Sequence, residues 1–303
     1  MQNNHNIRII IGWVLGGLLV ALLIFLLNKS PKFDNNLSVD GKIQVITSFY
    51  PLYYFTSQIV GDRAVVYNLT PAGSEPHDYE LSTSDIARIE NSQLLILNGG
   101  KLESWGDNIK NILDGSETKI LTMENSQLLK DPHVWLDPIL AKQEVLAIAV
   151  GLGQVDSGNA SYYLVNAKIL SDKLDNLDNQ FKLGLNSCAK KDIITSHSAF
   201  GYLASKYGFN QVAISGLSPD EEPSVQTLTR VADFAKQNKI EYIFFESLVS
   251  PKLSQTIASE IGAKTLVLNP LEGLTDTDIR AGKNYFSEMQ NNLNNLKIAL
   301  QCQ

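Results

Sequence analysis

The sequence predicts an α/β fold: two βα lobes with parallel sheets, joined by one long rigid helix and preceded by an N-terminal transmembrane or signal segment. Three observations predict it. Short β-rich runs alternate with helical patterns in two separate series, an unbroken helical pattern of 26 residues stands between the series, and an uncharged apolar stretch opens the chain.

The apolar stretch is "IIIGWVLGGLLVALLIFLL", residues 9–27. As a helix, 19 such residues span roughly 28 Å, about one hydrocarbon core. Arg8 and the amino terminus precede it, which favours export of everything that follows. It is longer than the usual core of a secretory signal, and "NKSPKFDNNLSVDGK" offers no convincing small-residue cleavage site. The first reading is therefore an uncleaved anchor, and the alternative is a signal that is removed.

Residues 28–41 are polar and read as a tether. From Lys42 the first series runs "KIQVITSFY" (strand), "PLYYFTSQIVGD" (helix), "AVVYNLT" (strand), "STSDIARIENS" (helix), "QLLILNGG" (strand), "LESWGDNIKNIL" (helix) and "TKILTM" (strand). The second series has the strands "DIITSH", "QVAISG", "EYIFFES" and "KTLVLNP". Between them lie the helical stretches "SAFGYLASKYG", "SVQTLTRVADFAKQN" and "SPKLSQTIASEIG". The middle, 158–183, repeats apolar residues at helical intervals (Tyr162, Val165, Ile169, Leu170, Leu174, Leu177, Phe181) with no proline or internal glycine. A helix of that length, about 39 Å, makes a stiff connector. The expected organisation is 1–41 anchor or signal and tether, 42–157 first lobe, 158–183 connecting helix and 184–303 second lobe.

Composition narrows the function. The net charge is −7 and the pI about 5.2. With no basic stripe to displace counterions from phosphates, nucleic acid is excluded as a partner. The two cysteines, Cys188 and Cys302, form an even count in an exported chain and suggest one disulfide; two unpaired thiols are the alternative.

There are four histidines. His5 precedes the apolar stretch and is expected to be inert. The other three each follow a strand: His77 in "GSEPHDYE", His133 in "DPHVWLDP" and His197 closing "DIITSH". In open α/β sheets ligands bind beyond the carboxyl ends of strands. One such histidine is usually a surface or core residue, but three at strand-to-helix junctions point to metal, because neutral imidazole is its commonest ligand. They stand 56 and 64 residues apart, too far for a local finger. A site made from them bridges the lobes and needs the fold first. A fourth, oxygen ligand should come from the second lobe, where Glu246 and Glu272 both follow strands; the residue pattern alone leaves the two open.

"GSEPHDYELSTSDIARI", "DPHVWLDP", "TSHSAFGYLASKYGF" and "TLVLNPLEGLT" together resemble the cluster A-I (cluster 9) family, the substrate-binding subunits of zinc and manganese ABC importers. The likeness covers roughly residues 42–300. It implies two α/β lobes on a rigid helix, with His77, His133 and His197 as metal ligands. It also implies that Glu272, in the "NPLEG" turn, is preferred over Glu246 as the fourth. Histidine at the third position and glutamate at the fourth look like the zinc branch, and nitrogen-rich sites favour Zn²⁺ over Mn²⁺. The implied partner is an ABC permease with its cytoplasmic ATPase, the membrane is reached through the N-terminal segment, and the protein is expected to be a monomer. The sequence departs from the family in two places. The long His- and acid-rich loop many zinc members carry ahead of "HVWLDP" is replaced by "GSETKILTMENSQLLKDPHV", and the usual lipid-bearing cysteine is missing.

The competing reading is a zinc hydrolase. It lacks H-E-x-x-H, G-x-S-x-G and a spare histidine base, and a fourth protein ligand leaves no position for activated water. The expectation is a non-enzymatic carrier. An adhesin or metal sensor on the same scaffold is the third reading.

Overall fold

The structure is a computed structural model that describes residues 41–100, 102–123 and 131–303. The apolar stretch 9–27, His5 and nearly all of the tether lie outside the described residues.

The first series folds as β1 (Ile43–Thr47), α1 (Tyr50–Val60), β2 (Ala64–Asn68), α2 (Thr83–Glu90), β3 (Leu94–Leu97), α3 (Gly106–Ile112) and β4 (Lys119–Thr122). All pairings are parallel, and the strand order is β2-β1-β3-β4. Two helices follow, α4 (Pro138–Val155) and α5 (Ala160–Leu185). The second series is β5 (Asp192–Thr195), α6 (Gly201–Tyr207), β6 (Asn210–Ala213), α7 (Val225–Gln237), β7 (Tyr242–Phe245), α8 (Lys252–Ile261) and β8 (Lys264–Val267). Its sheet is also parallel, in the equivalent order β6-β5-β7-β8. Helices α9 (Asp276–Arg280) and α10 (Tyr285–Leu300) close the chain.

In both lobes the strand that comes first in sequence lies inside the sheet, so the chain reverses direction across it. That reversal opens a crevice at the carboxyl ends of the strands. The strands read as continuous apolar runs because helices cover both faces; β3, "LLIL", is buried at every position.

The inward stripe of the connecting helix keeps Leu170, Leu174, Leu177 and Phe181 from the one its sequence suggests and departs from it at Tyr162, Val165 and Ile169. Tyr163, Ala167, Leu170, Leu174, Leu177 and Phe181 are buried, at alternating steps of four and three. Tyr162, Val165 and Ile169 are 36%, 59% and 52% exposed. Each lies one or two positions off the inward stripe, and an apolar side chain at the surface carries little penalty. The helix is also more than a connector, since it packs against α1, α4, α6 and α10. Its side chains join a hydrophobic core that runs through residues of both lobes, from Val45 and Phe49 to Phe244 and Leu293. Each fully buried Leu or Phe contributes about 1.5–3 kcal/mol, which fixes the lobes against one central rod.

Cys188 and Cys302 are disulfide-bonded, with Cα atoms 3.8 Å apart. The bond ties the end of α10 to the segment before β5.

Candidate metal centre

Each ligand candidate lies beyond the end of a strand, in a backbone segment that its neighbours fix. His77 lies in the 3₁₀ turn Pro76–Asp78, where Pro76 presets the backbone at the first position. Its loop meets the second lobe, with the Gly73 N–H donating to the Leu274 carbonyl at 3.0 Å. Gly273 permits that approach: a Cβ there would lie 3.3 Å from the Ser74 carbonyl oxygen and 3.0 Å from Leu248.

His133 caps the 3₁₀ turn Val134–Leu136. The Asp131 carboxylate accepts from its backbone N–H (3.0 Å) and pairs with its Nδ1 (2.7 Å). His197 follows β5 by two residues. Thr195 Oγ1 and Gln211 Nε2 both donate to its carbonyl, at 2.8 and 2.9 Å. Glu246, two strands on in sequence but adjacent in the sheet, accepts from the His197 N–H (3.1 Å) and pairs with Nδ1 (2.8 Å). Glu246 therefore stands behind the imidazole.

Glu272 reaches the imidazoles from the opposite side. Its Oε1 lies 3.3 Å from His77 Nε2, 3.1 Å from His133 Nε2 and 3.4 Å from His197 Nε2. The Nε2 atoms of His133 and His197 are 3.3 Å apart. One donor atom from each of the four residues falls within 4.8 Å of the others. His133, His197 and Glu272 are essentially fully buried, while His77 keeps 8% of its side chain exposed.

These distances suit a small cation. Four ligands at about 2.0–2.1 Å around a tetrahedral Zn²⁺ lie roughly 3.3–3.4 Å apart, close to the four spacings above. The hydrogen-bond chemistry agrees. With Nδ1–H of His133 and His197 turned to carboxylates, each neutral ring presents an Nε2 lone pair to a carboxylate oxygen that also carries only lone pairs. Acceptor facing acceptor is stable only with a cation or a proton between them. Glu272 Oε2 is buried with no hydrogen-bond partner, leaving that oxygen available as well.

The charges respond to this crowding. Burial opposes the charged form of His197, but the Glu272 and Glu246 carboxylates outweigh it and hold the ring well above the ordinary imidazole range. Burial likewise opposes ionisation of Glu272, and the surrounding imidazoles, His197 foremost, hold it well below the usual carboxylate range. Glu75, which sequence reasoning passed over, is the neighbouring acid. Burial first, and the Glu272 charge second, push it up to about 9, so it keeps its proton beside the site at neutral pH.

Sequence reasoning also missed the support beneath Glu272. Leu271 has φ +57° and is fully buried. For a non-glycine residue this left-handed conformation costs on the order of 1–3 kcal/mol and persists only where its surroundings over-determine it. Asn292 of α10 is buried while Asn291 and Asn294 beside it are exposed, and the local sequence does not set the three apart.

Two α/β lobes with a buried, acid- and imidazole-lined cation site between them define a solute-binding protein for metal. A family model described as "Zinc-uptake complex component A periplasmic" matches residues 45–299. The chain belongs to this family, the zinc-binding extracytoplasmic component of uptake systems that work with an ABC permease and ATPase, and it is not an enzyme. It is 39% identical to the high-affinity zinc uptake system protein ZnuA of Bacillus subtilis, over 94% of this chain and 97% of that one. It is also 39% identical to the zinc-binding lipoprotein AdcA of Streptococcus pneumoniae, over 87% of this chain and 57% of AdcA. Among solved structures, the Zn(II)-bound ZnuA-like domain of S. pneumoniae AdcA superposes with a TM-score of 0.77 and 40% identity, covering 86% of this chain and 99% of that one.

Proposed function

We propose that His77, His133, His197 and Glu272 bind one Zn²⁺ between the lobes and that the protein delivers it to its permease. The observation that carries this reading is the convergence of three imidazole Nε2 atoms on Glu272 Oε1 at 3.1–3.4 Å. Three neutral nitrogens and one carboxylate form a donor set that favours Zn²⁺ over Mn²⁺. Four protein ligands saturate a tetrahedral ion, which suits carriage better than hydrolysis. Residues 42–157 and 184–303 act as the two metal-binding lobes, and 158–183 as the strut between them. The protein works as a monomer held at the outer membrane face by residues 9–27; cleavage after that segment would release it instead.

Competitive titration of the purified protein with Zn²⁺ and Mn²⁺, with metal content measured after dialysis, tests the assignment. One equivalent of zinc should be retained and manganese displaced. Equal retention of both ions by the His197→Ala variant would break it.

A further inference from the structure

Glu272 sits on a turn that does not hold itself. Its neighbour Leu271 is the one buried residue with positive φ among the described non-glycine residues, so the turn needs bonds from outside to keep the carboxylate aimed at the histidines. Those bonds come from α10. Asn292, 1% exposed, grips Asn269 at both backbone groups: the Asn269 N–H donates to Asn292 Oδ1 at 2.8 Å, and Asn292 Nδ2 donates to the Asn269 carbonyl at 2.7 Å. The Asn269 side chain then accepts from the Leu271 N–H at 2.8 Å, at the strained residue itself. Glu288, one turn earlier on α10, accepts from Asn269 Nδ2 at 3.3 Å. From the first lobe, Trp135 Nε1 donates to the Pro270 carbonyl at 2.7 Å.

We infer that Asn292 is a positioning residue for zinc binding, one that acts through Glu272 by clamping the Asn269–Glu272 turn. The inference rests on Glu272 being a ligand. A two-point grip on the Asn269 backbone fixes where the turn begins, and the Asn269 amide passes that constraint to Leu271. Without it the turn can leave the left-handed conformation, and the carboxylate swings away from the three nitrogens. The Asn292 side chain bonds to the Asn269 backbone and not to a metal-ligand candidate among the described residues, so its contribution appears only through the fourth ligand.

A double-mutant cycle on the full-length protein tests this, with zinc affinity read by competition against a chromophoric chelator. Asn292→Leu keeps the branched outline of the side chain and removes both bonds; it should weaken zinc binding by roughly 10–100-fold, the range found when the outer partner of a metal ligand is lost. In the Glu272→Ala background the same change should cost little or nothing. A wild-type affinity for Asn292→Leu, or an equal loss in both backgrounds, would overturn the inference and leave a structural role alone. If Glu272→Ala, which removes the oxygen donor altogether, binds zinc like the wild type, Glu272 is not a ligand, and that result separates failure of the site assignment from failure of the clamp. Should Asn292→Leu not fold, Asn292→Asp retains the acceptor for the Asn269 N–H, loses the donor to its carbonyl, and is read by the same cycle.

Discussion

In the first lobe both imidazoles come from loops behind the outer strands, His77 after β2 and His133 after β4. In the second, His197 follows the inner strand β5 directly, and Glu272 lies beyond the outer strand β8 on a turn gripped by α10. The sheets share one strand order, yet the supports differ. His197 is backed by a carboxylate from a neighbouring strand, and His133 by one from its own loop. His77 has no carboxylate on its Nδ1 among the described residues, and its loop is tied down by the Gly73–Leu274 bond. Equivalent topology thus sets where ligands can emerge, while the surrounding polar groups decide how firmly each is held.

The largest effect should come from acid, which strikes both halves at once. Metal enters a deprotonated ligand set, so up to three imidazole protons compete with each ion. His133 and His197 are both held above the ordinary imidazole value, His197 strongly, so that competition begins above pH 6.5 as the pH falls. Zinc affinity should drop by several orders of magnitude between pH 7.5 and 5.5, followed by chelator competition at each pH. A flat profile would break the comparison at its root.

Removing a ligand comes next. Structural zinc sites with four ligands provide about 10–16 kcal/mol, so His197→Ala should weaken binding by about two to three orders of magnitude. His77→Ala should cost less, because its ring lacks a carboxylate brace. The reverse order in calorimetric titration would mean that the first lobe holds the firmer half.

The carboxylates behind the rings separate the lobes more finely. Glu246→Gln and Asp131→Asn should each lower affinity by roughly 10–100-fold, with Glu246→Gln the larger. The Glu246 side chain is 2% exposed and the Asp131 side chain 20%, so solvent replaces the second more easily. The same titrations decide it; a larger loss from Asp131→Asn would reverse the ranking.

The smallest effects concern the helix between the lobes. Ile169→Ser, on the outward face of α5, should change stability by no more than about 0.5 kcal/mol. Leu174→Ala, on the inward stripe, should cost about 2–5 kcal/mol. Equal losses in chemical denaturation would mean that both faces are packed.

The sequence made the rhythm of strands and helices legible, because burial on both faces leaves continuous apolar runs, and it marked the three strand-end histidines. It left out α4, whose apolar residues lie on several sides and give a weak helical period, and α10, whose inward face mixes leucines with buried Asn292 and Glu288. Residues alone could not choose between Glu246 and Glu272, since a carboxylate at a strand end looks the same in either place. The difference is set by distant groups: Glu246 meets the Nδ1 side of His197, and the clamped Leu271 turn aims Glu272 at the Nε2 side. Contacts of that kind, between residues far apart in the chain, leave no local signature.

X-ray absorption at the zinc edge of the loaded protein bears most directly on the shared cation. Three imidazole nitrogens and one carboxylate oxygen, all at about 2.0–2.1 Å, are the expected shell. Fewer than three imidazoles, or sulfur among the neighbours, would contradict it.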